Sequence, residues 1–335
     1  MLNIPVVVFL YRRIDTLARV FHVLEQAKPA KIYLLSDAGR NKEEHIEVEA
    51  VRSHALHLIT WKCEVITRFA QANLGVYENI GLGARWVFER EEKAIFLEDD
   101  NLPNLTFFGY CSELLDKYEH DERILWICGT NYTDVFSWCD SSYFFTQHLL
   151  PCGWASWSKK FTNAYDVHLS ALNSTSKLRC FSRSYRNRAL YRQQRDSVLN
   201  ERERRLRGCR YQSWDYHMLL TLRANGLWGI APKTNLITNI GADALSAHGG
   251  VSTALEMSRR FCDIPSKEIQ LPLRHPKDFG NNERFDSLLG NIILWPFSAR
   301  VKWFINKTLK RLLGVYVDDS LVKEVKKRIG KRKGQ

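Results

Sequence analysis

The sequence predicts an α/β protein built on an open, mostly parallel sheet with helices on both faces. Three observations carry that prediction. Short apolar runs rich in β-branched residues recur at 4–10, 31–35, 63–67 and 94–97. Segments of helical spacing separate them, as parallel βαβ crossovers require. The runs then end in charged or turn-forming residues: Arg12 and Arg13, Asp37, and Glu98-Asp99-Asp100. In open α/β sheets ligands bind beyond the carboxyl ends of the strands, so these side chains are expected on one rim.

Taken in order, residues 4–10 suit a strand buried on both faces. No basic region precedes this run and no small-residue cleavage site follows it, so it reads as a strand and not as a signal peptide. Leu17, Val20, Phe21 and Leu24 line one face of a helix over 17–26. The strand at 31–35 ends in Ser36-Asp37-Ala38-Gly39, and a helix over 48–58 leads to the strand at 63–67. Asn73-Leu74-Gly75 is a turn, followed by a helix over 77–89 and the strand that runs into Glu98. Beyond it the pattern predicts a helix over 106–118 and strands at 124–128, 143–146 and 227–230. Asn239-Ile240-Gly241 reads as a turn. No internal repeat or Gly/Ser-rich linker divides the chain, so residues 1–250 are expected to form one composite unit.

Hydrophobic residues make up 45% of the 335, which excludes a disordered polymer. No apolar run reaches the roughly 18–20 residues that a membrane-spanning helix needs. The net charge is +12, and it is local. Residues 179–210 hold 11 arginines against three acids, and residues 300–335 hold 12 lysines and arginines against three acids. The remainder is net acidic. The eight cysteines include no C-x-x-C pair and no zinc-type spacing, and are expected as reduced thiols.

Glu98-Asp99-Asp100 is the sharpest chemical feature. Adjacent carboxylates at a strand end repel one another unless a cation neutralises them, and Mg²⁺ or Mn²⁺ is bound in this way. An acidic loop or helix cap ahead of Pro103 is the plainer alternative. Asp215, in Ser213-Trp214-Asp215-Tyr216-His217, can act as a general base, or can simply favour the dipole of the helix it opens. Trp154, Trp157 and Trp214 offer flat faces to a pyranose, with Gly153 allowing close backbone approach; core packing is the alternative. The arginines of 179–210 either grip a phosphate-bearing or anionic acceptor or form a solvated helical face.

Together the segments 5–13, 34–37, 73–75 and 95–100, followed by Pro103 and Phe107-Phe108-Gly109-Tyr110, resemble the GT-A-fold nucleotide-sugar glycosyltransferases. The likeness is to family-2-like bacterial enzymes and to the N-acetylglucosaminyltransferase I type, with Glu-Asp-Asp standing for the D-x-D motif. It extends through Cys128-Gly129-Thr130-Asn131, residues 153–157, Trp214-Asp215 and Asn239-Ile240-Gly241, covering roughly residues 4–250 in order. The resemblance implies a GT-A fold, a nucleotide-sugar donor, and Mn²⁺ or Mg²⁺ held by Asp100 and His248. It implies Asp99 at the ribose, Glu98 on the base side of the pocket, and Asp37 reading the nucleobase. Arg12 or Arg13 would meet the diphosphate; the family often has Asn where Arg12 stands. Gly153, Trp154, Trp157 and Trp214 would line the acceptor side, and Asp215 would be the base of an inverting single displacement. The run 242–248 departs from the family's usual glycine and Thr-His before His248. On this reading 1–105 is the nucleotide-binding half, 106–250 the acceptor half with the insertion 179–210, and 251–335 a C-terminal extension.

In that extension Val301, Phe304, Ile305, Thr308, Leu309 and Leu312 recur at helical spacing, among five basic residues and near Trp295 and Trp303. Such a helix lies in the headgroup region of an anionic membrane, or packs on its own domain. The expectation is a peripheral protein on the cytoplasmic face of a membrane, taking a glycan or lipid-linked acceptor. A nucleotidyltransferase is the rival enzyme, but Phe9-Leu10-Tyr11-Arg12-Arg13 lacks its glycine-rich loop. A polyanion-binding module would leave Asp37, Asp99, Asp100 and Asp215 without a common purpose, and nucleic acid is not an expected partner.

Overall fold

The computed structural model describes residues 2–133, 140–242, 260–280, 282–316 and 318–324. The N-terminal half alternates as expected. It runs β1 (Val6–Leu10), α1 (Ile14–Ala27), β2 (Lys31–Ser36), α2 (Lys42–His57), β3 (Glu64–Phe69), α3 (Gly83–Phe88), β4 (Lys93–Glu98). Two elements depart from the expected bounds. Helix α2 begins six residues before the expected start, because the Asn41 side chain accepts from the Glu44 amide (2.9 Å) and caps it. The expected helix over 77–89 opens as a π-helix, Tyr77–Leu82, before α3. There Gly81 lies where a Cβ would come within 2.5 Å of the Tyr165 hydroxyl and 3.2 Å of Trp214.

The second half adds β5 (Asn101–Pro103), α4 (Thr106–Lys117), β6 (Ile124–Cys128), β7 (Tyr143–Thr146), β8 (Trp154–Trp157) and α5 (Ser158–Ala164). The arginine-rich region forms α6 (Thr175–Arg183) and α7 (Arg188–Leu206), and α8 (Asp215–Ala224) leads to β9 (Trp228–Pro232) and β10 (Ile237–Asn239). Eight strands form one sheet in the order β3-β2-β1-β4-β8-β6-β9-β7, and β10 pairs with β5 in a separate two-stranded sheet. Pairings among β3, β2, β1 and β4, and between β6 and β9, are parallel; β8 runs antiparallel to both β4 and β6, as β7 does to β9. The architecture is the expected α/β, Rossmann-like GT-A fold, with a mixed sheet in place of a mostly parallel one.

Alternation along the strands sends side chains to two cores. Val6, Val8 and Leu10 join Leu17, Val20, Phe21 and Leu24 of α1 and Phe107, Tyr110 and Leu114 of α4. On the other face Phe96 of β4, Trp154 of β8 and Trp126 of β6 form a stack, with ring centroids 3.9 and 4.2 Å apart and planes within 20°. Trp154 is 2% exposed. This stack fastens the antiparallel strand into the sheet.

The first compact unit extends to Gly290 and the second begins at Asn291. The boundary expected at 250 lies outside the described residues. Residues 260–290 belong to the first unit, where Ile269 and Leu273 join its core and Phe285 stacks on Phe144 (4.5 Å). Phe285 and Leu289 lie in α9 (Glu283–Ile293). The second unit contains α10 (Phe297–Leu312). Among the described residues every cysteine is free, and no helix is long and apolar enough to cross a membrane.

Trp154→Ala should cost about 3–5 kcal/mol, the usual penalty for deleting a fully buried aromatic. Urea unfolding followed by circular dichroism measures it. A loss below about 1 kcal/mol would show that the stack does not hold β8.

Candidate active site

The acidic turn at the end of β4 is built by the strands around it. Parallel pairing aligns Phe9 with Glu98, so the exits of β1 and β4 adjoin. The Tyr11 amide donates to Asp99 Oδ2 (2.9 Å), and the Asp99 amide donates to the Phe9 carbonyl (3.0 Å). Arg13, the residue before α1, pairs with Asp100 Oδ2 and donates to the Gly241 carbonyl (3.1 Å). Asn101 Nδ2 donates to Asp100 Oδ1 (2.7 Å), while Asn101 Oδ1 accepts from the Gly153 amide (2.8 Å). The Ile240 amide donates to the Asp100 carbonyl (2.9 Å), continuing the β5–β10 pairing. Gly241 must be small: a Cβ there would strike Asp100 Oδ2 and lie 2.7 Å from Arg13 Nη1.

Electrostatics at this turn follow from crowding. Burial raises the Glu98 carboxyl well above its ordinary value, and repulsion from Asp100, Asp99 and Asp215 raises it further. Asp100 is also raised by burial, against the opposing pull of Arg13. Asp215 is thus near enough for its charge to act on Glu98, although 116 residues of chain lie between them. It is the first residue of α8, and Ser213 Oγ donates to its Oδ1 while accepting from the Tyr216 amide (3.1 Å). The segment before it is anchored by Glu201, which is fully buried and accepts from the amides of Gln212 (2.8 Å) and Ser213 (3.3 Å).

The two neighbouring arginines separate cleanly. Arg12 turns to α2, pairing with Glu44 (2.8 Å) and with Glu47. Arg13 is the one that faces Asp100. Glu44 also accepts from the Tyr11 hydroxyl (2.9 Å) and from the Arg40 guanidinium (2.5–3.1 Å). These contacts, Arg40 foremost, lower its carboxyl from 4.5 to about 2.

Several expected roles need correction. Asp37 accepts from the amides of Ala38 (2.8 Å), Leu74 (2.7 Å) and Gly75 (2.8 Å) and from the Asn73 side chain (3.1 Å). Four donors fill the lone-pair sites of one carboxylate, so Asp37 fixes the 73–75 turn and has no free oxygen for a nucleobase. Trp154 has both faces covered by Phe96 and Trp126, and so cannot be a sugar platform. Trp157 is buried, donating to the Leu115 carbonyl (2.9 Å) with the Lys160 ammonium 3.9 Å from its ring centre. Trp214 is buried against Trp126 and Trp154. Gly153, at φ +62°, is needed for its backbone and because a Cβ would come 2.5 Å from Ile237. His248 lies outside the described residues.

Sequence reasoning missed Asn101, Ser213, Glu201 and Arg210. Arg210 donates to the Asn73 carbonyl (2.7 Å) and so ties the loop before Asp215 to the turn that Asp37 holds. Asn101 and Ser213 adjoin residues already singled out and could have been read as their positioning partners. Nothing local marks Glu201 or Arg210 among so many charges.

Among the described residues no three His, Cys, Asp or Glu side chains converge as a metal-ligand group. The donor chemistry nonetheless suits a hard cation. Magnesium-type ions commonly take one or two carboxylates and complete their shell with water and substrate phosphate. Arg13 and Asn101 hold the two oxygens of Asp100 at this turn.

No protein-family model and no curated protein matches the sequence. Among solved structures, mouse xyloside xylosyltransferase 1 is 11% identical, covering 67% of this chain and 83% of that one, with a TM-score of 0.37. A UDP-glucose pyrophosphorylase is 10% identical over 70% and 93% of the two chains, also at 0.37. The mannosyltransferase PcManGT from Pyrobaculum calidifontis, in complex with GDP-Man and Mn²⁺, is 12% identical over 66% and 69%, at 0.37. Likenesses this distant say nothing of activity.

Gly241→Ala should cost about 1–3 kcal/mol through overpacking, and most of that cost should vanish in an Asp100→Ala background. Equal costs in both backgrounds would locate the conflict elsewhere. A second expectation concerns Glu44. Its folded pKa of about 2 lies below the ordinary 4.5, so its contribution to stability is complete above pH 4.5 and is lost as pH falls toward 2. The gap in thermal midpoint between the native chain and Glu44→Gln should therefore narrow over that window. A gap independent of pH would refute the assignment.

Proposed function

We propose that the protein is an inverting, metal-dependent glycosyltransferase that moves a sugar from a nucleotide-sugar donor to a glycan or lipid-linked acceptor. The observation that carries this reading is the meeting of Arg13, Glu98, Asp99 and Asp100 at the carboxyl ends of β1 and β4, the rim where open α/β sheets take ligands. It also draws on the motif resemblance, which assigns the donor to Asp99 and Asp100 and the base to Asp215.

On this reading Asp100 would hold Mn²⁺ or Mg²⁺, with His248 as the second ligand that the resemblance implies. The ion would supply Lewis-acid stabilisation of the departing diphosphate. Arg13 would add positive charge beside the same group. Asp215, oriented by Ser213, would take the proton of the acceptor hydroxyl as its oxygen attacks the anomeric carbon from the face opposite the leaving diphosphate. The carbon–oxygen bond to the diphosphate breaks as the new glycosidic bond forms, which inverts the configuration. Asp37 would act indirectly, by fixing the 73–75 turn beside the donor pocket. The reading includes a peripheral position on the cytoplasmic face of a membrane, where a lipid-linked acceptor would be met.

Thermal unfolding in the presence of nucleotides and nucleotide-sugars, with and without Mn²⁺, tests the proposal. At least one nucleotide-sugar should stabilise the protein, more strongly with the metal. Asp215→Asn should preserve that shift while lowering turnover about 10²–10⁴-fold, the usual span for loss of a general base. No shift with any donor, or full turnover in the variant, would overturn it. Pyrophosphate release from a nucleoside triphosphate and a sugar phosphate would mark a nucleotidyltransferase instead.

A further inference from the structure

The second unit presents a surface that the catalytic reading does not use. Phe297, Val301, Phe304, Ile305, Leu309 and Leu312 fall along one side of α10. None is buried; Phe297 is 73% exposed, Phe304 65% and Leu312 76%. In a water-soluble protein a helix of this pattern normally turns such a stripe into a core. The same helix carries Arg300, Lys302, Lys307, Lys310 and Arg311, and no acidic residue. Arg300, Lys307 and Arg311 border one edge of the stripe and Lys302 the other, by helical angle. Before it, Trp295 packs edge to face against Trp303 at 6.2 Å, and its carbonyl accepts from Arg300 Nε (3.1 Å).

Charge decides which occupant fits. A second copy of the helix laid against the stripe would bring the four bordering cations toward four others. A bilayer of neutral lipid would take the apolar side chains but leave the cations without counter-charge. A surface bearing anionic phospholipid answers both halves: acyl chains accept the phenylalanines and leucines, and headgroup phosphates meet the lysines and arginines.

We propose that α10 docks the protein on anionic phospholipid bilayers, lying in the plane of the surface with its apolar stripe at the boundary of headgroups and acyl chains. This deepens the transferase reading, on which its purpose rests, by naming the lipid chemistry of the surface where an acceptor is met. The docking itself depends on the helix alone. Exposed side chains make the stripe open to substitution without cost to folding, which keeps the test clean.

Sedimentation of the full chain with vesicles of phosphatidylcholine, with or without phosphatidylglycerol, tests the proposal. Binding should be at least about tenfold tighter with phosphatidylglycerol, and should weaken as salt is raised. The triple variant Phe297→Ser, Phe304→Ser, Leu312→Ser should bind the same vesicles at least about tenfold more weakly at an unchanged thermal midpoint. Absence of binding to phosphatidylglycerol vesicles would reject the proposal, as would equal binding by the triple variant. A solution dimer that the triple variant dissolves, with no vesicle affinity in either protein, would assign the stripe to a second copy. Nucleotide-sugar stabilisation measured on the same samples separates the two readings. Loss of vesicle binding with donor binding intact rejects the docking alone, and the converse rejects the transferase alone.

Discussion

Acidic side chains crowd the end of β4, and the surrounding structure is arranged to tolerate them. Parallel pairing of β1 with β4 delivers the Tyr11 amide to Asp99 and brings Arg13 to Asp100. Fold and site are therefore coupled. Were the register shifted by one residue, Asp99 would lose its backbone donor and the alternating core residues would change faces. Crowding also accounts for the raised Glu98 carboxyl, since burial and like charge both disfavour a further anion. A turn with this charge balance suits a ligand that brings cations with it.

Support for the turn comes from elements far apart in the chain. Strand β8 enters antiparallel between β4 and β6, held by the Phe96–Trp154–Trp126 stack, and its approach presents the Gly153 amide to Asn101. Asn101 in turn orients Asp100. From the other side β10 brings Gly241 against the same carboxylate. The arginine-rich insertion contributes through Glu201 and Arg210, which pin the loop leading to Asp215 and link it to the 73–75 turn. Much of that insertion is thus a brace. Its guanidiniums include structural partners such as Arg204, paired with the buried Glu201.

Legibility in the sequence followed the range of the interaction. The first four strands and α1 were readable because continuous apolar runs and i, i+3, i+4 stripes depend on neighbours within one element. Strands β5, β8 and β10 were not, being three or four residues long, with pairing that is entirely non-local. Asp37 shows the same limit in the site. An aspartate at a strand end looks like a ligand-reading group until the 73–75 turn, 36–38 residues away, fills its carboxylate. By residue type Trp154 and Trp157 suit a sugar platform and a core equally, and only the rings on both faces of Trp154 and the burial of Trp157 assign them to the core.

By itself the sequence determined the α/β alternation, the acidic turn at the end of the fourth strand, the candidate Asp215, and the uneven spread of positive charge. Those features are written in residue type and short spacing. Tertiary structure alone decided which arginine meets Asp100, which tryptophans are core, and that Asp215 comes within electrostatic reach of Glu98. It also decided that, among the described residues, the side chains of the α10 stripe are exposed. The physical reason is common to all four. A side chain's role depends on what occupies the space beside it, and in a mixed sheet that neighbour usually comes from a distant part of the chain.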